Sequence, residues 1–319
     1  MSALTRLRDP RTDEAATPAA PSRRRRGPVR LSRRDIAVVT AMVAIPLVVD
    51  LVFIWGPALA TIVLSFTDAT GAAPIHWVGT KNYHTLAEVD PSFWPAVRHN
   101  AIWLGVFILI ATPLGMLFAV LLDRGLQGSR IYQSVIFLPV MLSLALIGII
   151  WQVIYTTNGG LLNTLLGHGD GGGVDFLGDP SINLWAVLVE ATWRQAGYVM
   201  ILYLSGLKAV DLALKESAAL DGANGWQTFR YVVFPVLRPV NVVILVVTVI
   251  ESLRAFDLVY ITNQGGIGLQ LISAMITQQI TGPGNRIGYG SALGVVLLLI
   301  SLVPIVAFLV QQFRKEDES

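Results

Sequence analysis

Residues 100–122 read NAIWLGVFILIATPLGMLFAVLL, a run of 23 residues without Asp, Glu, Lys or Arg. A helix of about 20 residues crosses the hydrocarbon core of a bilayer, so this run is long enough to span it. Its apolar residues occupy every face of a helix, whereas a helix on the surface of a soluble domain keeps one polar face. The stretch therefore predicts a transmembrane helix.

Five further apolar segments have a similar length, at residues 36–66, 131–155, 184–207, 240–261 and 289–313. The 319-residue chain is 54% hydrophobic and 14% charged, with a mean hydropathy of +0.62, against about 45–50% and about 25% in a soluble domain. This composition excludes a soluble enzyme, a fibrous protein and a disordered protein. We predict an all-α polytopic membrane protein with six transmembrane helices. The first segment is long enough to be tilted or broken, at Pro46 or at Gly56-Pro57.

Metal and disulfide sites are not expected. The chain has no cysteine, so it can form neither a disulfide nor a thiolate metal site. Its four histidines lie singly in or near the predicted outer loops, without the spacing of metal ligands: His76, His84, His99 and His168.

The distribution of basic residues predicts the orientation in the membrane. Residues 1–35 carry ten arginines and almost no large apolar side chains, which predicts a disordered tail that is retained, not a signal peptide. With this tail inside, 18 Lys and Arg residues fall in the inner segments and three in the outer loops. Basic residues mark cytoplasmic loops, so both termini are expected in the cytoplasm, including a short tail at residues 314–319. For the basic tail, contact with anionic lipid is favoured over binding of nucleic acid.

The cytoplasmic loop at residues 208–238 is neither a short turn nor a polar linker. Asp211 is placed to cap a first short helix, and Gly222 is placed to end it in the left-handed conformation. Apolar side chains on this helix and on the helix that follows it in the loop have no lipid to cover them, so either a partner protein or the chain's own helix ends must do so.

A second short helix follows in the same loop. Asn224 and Gln227 have the spacing of a capping box, and the helix is predicted from Trp226 to Phe234, ending at Pro235. The loop is therefore expected to form a helix, a turn and a helix.

The residues of this loop match a known pattern. Glu216-Ser217-Ala218, then Gly222, then Val232, Phe234 and Pro235 have the spacing of the EAA loop of bacterial ABC-transporter permeases. The chain differs from that pattern by Ser217 for alanine, Val232 for isoleucine and Phe234 for leucine.

Other segments extend the resemblance over most of residues 36–313, and they resemble the sugar permeases of maltose and glycerol-phosphate transporters. They are Trp77-Val78-Gly79, Asn82-Tyr83, Phe93-Trp94, Phe137-Leu138-Pro139, Gly160 to Asn163, Asp221-Gly222-Ala223, and Phe256-Asp257 through Tyr260 to Gly265-Gly266. The last segment resembles the first of the two permease subunits. The resemblance implies the fold of a type I ABC importer permease in the bacterial inner membrane.

The resemblance also implies the partners. They are a second similar permease, two cytoplasmic ATPase subunits and an extracytoplasmic sugar-binding protein, with ATP and Mg on the ATPases and no cofactor or catalytic site in this chain. The sequence agrees in having no Gly-x-x-x-x-Gly-Lys-Ser/Thr run. The residues implied to couple to the ATPase are Glu216, Ser217, Ala218, Ala219, Asp221, Gly222 and Pro235.

Six ionisable residues lie inside predicted spans: Asp50, Glu190, Arg194, Glu251, Arg254 and Asp257. An unpaired charge there costs roughly 2.5–3.5 kcal/mol on insertion scales, so these residues should face a cavity or a partner. Glu190 with Arg194, and Glu251 with Arg254, share a helix face. They are either two structural ion pairs or part of a polar passage.

Contacts to sugar in the resembling permeases come from the spans on either side of the loop. The corresponding positions here are Ala191, Arg194, Gln195, Tyr198, Thr248, Glu251 and Ser252, with a further contribution considered from Trp151, Gln152 or Tyr155. Paired charges favour a neutral mono-, di- or oligosaccharide over glycerol phosphate or another polyol phosphate.

Two alternatives come from other functional classes. An ion-coupled secondary transporter would be expected to show internal duplication, and an intramembrane enzyme would be expected to show a catalytic cluster; the sequence shows neither pattern.

Overall fold

The computed structural model describes residues 32–71, 73–125, 127–168 and 172–317. The predicted disordered tail lies outside these residues except for its last four. There, Ser32 accepts a hydrogen bond from the backbone of Arg34 and forms a capping box with Asp35. The first helix therefore begins at Arg33, a few residues before the predicted apolar segment.

The described residues are helical apart from turns, loops and a β-bridge between Thr67 and Trp77. The α-helices are α1 (Arg33–Asp50), α2 (Gly56–Leu64), α3 (Lys81–His84), α4 (Phe93–Val106), α5 (Thr112–Asp123), α6 (Ser129–Met141), α7 (Leu144–Tyr155), α8 (Leu161–Leu165), α9 (Asn183–Ala209), α10 (Leu212–Leu220), α11 (Gly225–Thr228), α12 (Phe234–Val236), α13 (Arg238–Leu253), α14 (Asp257–Asn263), α15 (Ile272–Thr281) and α16 (Ile287–Asp317). Segments of π-helix occupy Leu51–Trp55, Thr85–Val89, Phe107–Ala111 and Phe229–Val233.

Two units make up the chain, residues 1–55 and residues 56–319. The described part of the first unit consists of α1 and the π-helical segment Leu51–Trp55, in which none of the described side chains is buried. Pro46 lies within α1 without ending it, so the predicted break at Pro46 is wrong. The irregularity is the π-helical segment that ends directly before Gly56.

Three helical stretches of the described chain are long and apolar enough to cross a membrane, Arg33–Leu64, Phe93–Asp123 and Ile287–Val306. Three bent pairs also qualify if each pair is one span. They are Ser129–Met141 with Leu144–Tyr155, bent by 101°, and two pairs bent by 72°, Asn183–Ala209 with Leu212–Leu220 and Gly225–Val236 with Arg238–Asn263. The all-α prediction is confirmed, and the six predicted spans agree with this count.

Helix α9 is the central element of residues 56–319. It carries sixteen buried residues and packs most extensively against α5. Glycines allow this close packing: a Cβ atom on Gly197 would meet the backbone oxygen of Ile136, and one on Gly115 would lie 2.7 Å from the Cβ atom of Val199. Small residues serve the same purpose in other membrane helix pairs, because they let two backbones approach.

The buried side chains form three clusters. Two of them include residues from the two halves of α9: one contains Val187 and Leu188 and the other contains Met200 and Leu204. The third lies where α15 and α16 pack together. Arg194, Gln195 and Tyr198 lie between these two clusters along α9.

Candidate functional site

Helices α9 and α13, which flank the loop at residues 208–238, are joined by a charged hydrogen bond. Arg194 Nη1 donates to Glu251 Oε2 over 3.4 Å, and the two side chains are 21% and 33% exposed. Of the two interpretations of these charges, ion pairs along each helix do not form, because in the described residues neither Glu190 with Arg194 nor Glu251 with Arg254 comes within 4.0 Å. The single pair connects the two helices instead.

A small cavity of about 30 Å³ lies beside this pair. It is located where α13 ends at Leu253 and α14 begins at Asp257, so a break in helix geometry forms one side of it. The lining residues are Trp103, Phe107, Leu144, Ala191, Arg194, Glu251, Arg254, Ala255, Phe256, Asp257 and Leu258.

The charges around the cavity cancel. Arg194 and Arg254 contribute two positive charges, and Glu251 and Asp257 contribute two negative charges. Arg254 and Asp257 are exposed although they lie within a membrane-spanning region. Charged side chains at that depth face a bundle interior or a water-filled path, not lipid. The arrangement can therefore line a polar route without favouring an ion of either sign.

Aromatic rings form the apolar part of the cavity. Trp103 and Phe107 come from the second span, and Phe256 stacks on Tyr260 with ring centroids 4.9 Å apart. Trp103 was not among the residues predicted for the site. It has a signal in the sequence, since Asn100, one turn earlier, puts a polar group on the same helix face within an otherwise apolar run.

The other predicted contact residues lie outside the lining of the cavity. Gln195 and Thr248 are buried, and their side-chain polar atoms have no hydrogen-bond partner among the described residues. Ser252 donates to the carbonyl of Val249 over 2.9 Å. Tyr198 is half-buried. Ala191, Arg194 and Glu251 are thus the predicted contact residues that the cavity brings together.

Glu190 lies in the same helix but apart from the cavity. It is 1% exposed, and neither carboxylate oxygen has a hydrogen-bond partner among the described residues. The nearby hydroxyl of Thr262 donates to the carbonyl of Leu258 over 2.6 Å, and that of Tyr155 donates to the carbonyl of Ala186 over 3.1 Å. Both hydroxyls therefore have backbone partners.

The third span contributes support to the site. Gln152 Nε2 donates to the carbonyl of Ile261 over 2.6 Å, which holds α7 against α14. Trp151 packs edge-on against Trp193 with centroids 5.9 Å apart. Neither Gln152 nor Trp151 lines the cavity, so these residues position the neighbouring helices.

The cavity is small for a ligand site. Small-molecule sites measure roughly 300–1,000 Å³, about ten to thirty times the volume of this cavity, whereas one water needs about 10–15 Å³. A cavity of about 30 Å³ therefore has room for two or three waters. A larger molecule would need the elements around the cavity to move apart, among them α9 and α13, which the hydrogen bond between Arg194 and Glu251 joins.

The first helix of the loop, α10, forms as predicted. Asp211 accepts a hydrogen bond from the backbone of Ala213 over 2.9 Å, and Gly222 has a φ of +82°. The backbone N–H groups of Gly222 and Ala223 donate to the carbonyls of Ala219 and Ala218, over 3.1 and 3.0 Å. These two bonds form a Schellman motif, for which glycine is favoured because φ is positive.

The second helix begins as predicted and ends later. Asn224 and Gln227 make both hydrogen bonds of the capping box. The prediction that the helix stops at Pro235 is wrong, because α12 includes Pro235 and continues to Val236. The π-helical segment Phe229–Val233 directly precedes it, and proline is acceptable at the start of the new α-helical turn because its missing N–H is not needed there.

The loop exposes a mixed surface. Five of the residues implied to couple to an ATPase are exposed: Glu216, Ser217, Ala219, Asp221 and Gly222. Ala218 is buried against the chain itself, and Pro235 is half-buried. Large apolar side chains are also uncovered, with Leu220 90% and Trp226 68% exposed. Such a patch is typical of a protein interaction site.

An ion pair fixes α10 to the rest of the chain. Lys215 Nζ lies 3.1 Å from Asp123 Oδ2 at the end of α5, with side-chain exposures of 28% and 24%. Since α5 packs along α9, this pair connects the exposed loop to the helix that carries Arg194.

On the opposite side of the spans, the loop after α2 is held by Asp68. The backbone N–H of His76 donates to Asp68 over 2.6 Å, and this bond is the main cause that keeps the pKa of Asp68 below its ordinary value. In the described ranges no three His, Asp or Glu residues are grouped as a metal site would need.

Comparisons with known proteins agree on one family. A family model described as binding-protein-dependent transport system inner membrane component matches residues 111–316. A probable ABC transporter permease protein of Pyrococcus horikoshii is 32% identical over 273 residues, which are 83% of this chain and 92% of that protein. The trehalose/maltose transport system permease protein of Thermococcus litoralis is 28% identical over 290 residues, 90% of this chain and 98% of that protein.

A solved structure shares the fold. It is that of a bacterial ABC transporter involved in the import of the acidic polysaccharide alginate. The TM-score is 0.77 at 22% sequence identity, over 88% of this chain and 96% of the matching chain.

Proposed function

Because the chain belongs to the family of binding-protein-dependent transport system inner membrane components, we propose that it is the permease subunit of an ATP-driven carbohydrate importer. It forms half of the translocation pathway, and a second permease of the same family forms the other half. The relative from Thermococcus litoralis, a trehalose/maltose permease, supports a carbohydrate as the transported molecule.

The observation that carries this proposal is the charge-balanced, aromatic cavity at the junction of α9 and α13. A sugar presents many hydroxyls and a few apolar C–H faces, so it is bound by hydrogen-bonding side chains beside aromatic rings. Arg194 and Glu251 supply the hydrogen-bonding groups, and Trp103 and Phe256 supply the aromatic rings. The two helices also flank the exposed loop, so movement of that loop can change the cavity.

The transported molecule is a neutral mono-, di- or oligosaccharide. The charges of Arg194 and Arg254 are balanced by Glu251 and Asp257 around the cavity. An anionic substrate such as glycerol phosphate would gain little from a site with no net charge. The family relationship disfavours an ion-coupled secondary transporter, because its description names dependence on a binding protein.

The loop at residues 208–238 docks on a cytoplasmic ATPase. Leu220 supplies apolar contact area, and Glu216 and Asp221 supply polar contacts at the rim. Ala219 leaves room for close approach, Gly222 fixes the turn, and Pro235 lies at the base of the second helix. ATP and Mg bind to the two ATPase subunits, and this chain has no catalytic site or cofactor of its own.

The chain is a multi-pass protein of the bacterial inner membrane with both termini in the cytoplasm. The 18 Lys and Arg residues in the inner segments against three in the outer loops support this orientation. An extracytoplasmic binding protein delivers the sugar from the other side. Beyond these proteins the partner is membrane lipid, and nucleic acid is not one.

The proposal is tested on the intact complex purified in mild detergent from its native membrane and placed in nanodiscs. Mass spectrometry identifies the subunits, and ATP hydrolysis is measured with the binding protein and a panel of neutral sugars, each compared with glycerol phosphate. We expect a second permease, an ATPase and a binding protein, and hydrolysis stimulated by one neutral sugar. Stimulation by glycerol phosphate alone would favour the polyol phosphate importer. Recovery of this chain without an ATPase would contradict the proposal.

A further inference from the structure

An elongated groove runs along the exposed face of α5. Its volume is about 380 Å³, and its lining residues are Pro113, Met116, Leu117, Val120, Leu121 and Arg124 on one side and Gly225, Trp226 and Phe229 on the other. We refer to it as the α5 groove. The residues from α5 follow a helical spacing of three and four, so they form one continuous stripe.

The length of the stripe matches one leaflet of a membrane. Pro113 and Arg124 are eleven residues apart, which at 1.5 Å per residue is about 16 Å. Half of a hydrocarbon core of about 30 Å is about 15 Å. The stripe lies in the span Phe93–Asp123, so its apolar part is at the depth of acyl chains and Arg124 is at the depth of headgroups.

The headgroup end of the groove carries a positive charge. Asp123, the adjacent acidic residue, is engaged by Lys215 at 3.1 Å. Arg124 is exposed, and in the described part of the chain no carboxylate lies within 4.0 Å of it. Arginine binds phosphate through two parallel hydrogen bonds. The charge and the apolar stripe together complement a molecule with an anionic phosphate head and a long hydrocarbon chain.

The opposite wall of the groove belongs to the exposed loop. Trp226 and Phe229 pack with ring centroids 5.9 Å apart, and tryptophan is favoured at the boundary between headgroups and acyl chains. A molecule in the groove would therefore contact α5 and the second helix of the loop at once.

We infer that the α5 groove binds one anionic phospholipid, with an acyl chain along Leu117 and Leu121 and the phosphate on Arg124. The lipid holds the loop against the end of α5. This inference goes beyond the proposed function and does not depend on which molecule is transported.

Retention of lipid tests the site. The intact complex is assembled in nanodiscs of equal phosphatidylcholine and phosphatidylglycerol, extracted gently, and the retained lipids are measured by mass spectrometry for wild type, Arg124→Gln and Arg130→Gln. Arg130 is the matched control, because it is exposed on the same side of the membrane but does not line the groove. A hydrogen-bonded contact between Arg124 and a phosphate is worth about a five-fold change in affinity, the order of one net hydrogen bond, and Arg130 makes no such contact in the groove. We expect Arg124→Gln to reduce retained phosphatidylglycerol about five-fold, Arg124→Lys to restore part of it, and Arg130→Gln to have no effect.

A second measurement identifies the occupant. A photoreactive benzophenone amino acid in place of Leu117 is expected to cross-link to phospholipid. Cross-linking only to a protein subunit would overturn the inference, since a partner would then cover the groove. Equal retention of both lipids, equal losses in the two glutamine variants, or thermal stabilisation by inorganic phosphate equal to that by phosphatidylglycerol would also overturn it.

Discussion

At the scale of the residue, the central feature is the hydrogen bond from Arg194 to Glu251 across two helices. The charges and their positions in the spans could be predicted from the sequence, because ionisable residues are rare in such segments. Which acidic residue pairs with Arg194 could not be predicted. Residues four apart on one helix can pair by local geometry, whereas a pair between helices depends on the rotation of both helices, which packing around Gly197 and Gly206 decides.

Substitution of both Arg194 and Glu251 tests whether this pair binds sugar or only stabilises the structure. We expect Arg194→Met with Glu251→Met to raise the sugar concentration that half-saturates ATP hydrolysis about ten-fold, the equivalent of about 1.4 kcal/mol. Each single variant leaves one charge unpaired, which costs up to about 3 kcal/mol of stability. The measurements are ATP hydrolysis and thermal melting of the intact complex. Ser205→Ala, on the exposed side of α9, is the control. Unchanged half-saturation with lowered melting would assign the pair to structure alone.

At the scale of the element, α9 depends on close approach to its neighbours. A Cβ atom on Gly197 would meet the backbone of Ile136, which cannot move aside as a side chain can. We expect Gly197→Val to destabilise the complex by about 1–3 kcal/mol and to lower its melting temperature. Gly105→Val is the control, because open space surrounds that position. Equal melting of the two variants would show that this contact between α6 and α9 is not tight.

The ion pair between Lys215 and Asp123 tests the loop as a unit. We expect Lys215→Asp to release α10 from α5 and to reduce sugar-stimulated ATP hydrolysis while the basal rate persists. The double variant with Asp123→Lys should recover stimulation, because the pair is re-formed with opposite polarity. Failure of the double variant to exceed the single one would mean that the loop is not held by this contact.

The elements could be predicted from the sequence to very different degrees. The loop helix α10 was predicted with its cap at Asp211 and its end at Gly222, because both are local signals. The continuation through Pro235 was not, because the π-helical segment before it has no equally clear pattern. Asn100 indicates only the helix face of Trp103; its place beside residues of α9 and α13 in the cavity could not be predicted, because it arises from packing between distant segments.

At the scale of the whole molecule, the arrangement connects an exposed loop to a cavity through two helices. The loop joins α9 to α13, and Lys215 and Asp123 attach it to α5. The cavity of about 30 Å³ is lined by Arg194 and Glu251, whose hydrogen bond joins the same two helices. A partner that moves the loop would therefore act directly on the helices that carry Arg194 and Glu251. This is the mechanical basis of the proposed coupling to ATP hydrolysis.

The most direct test of the central claim is uptake of sugar by proteoliposomes that contain the purified complex. Radiolabelled neutral sugar and the binding protein are placed outside, and ATP or a non-hydrolysable analogue is enclosed. We predict accumulation that requires hydrolysable ATP and the binding protein, and that persists when ionophores abolish ion gradients. Accumulation that follows an ion gradient without ATP would contradict the account.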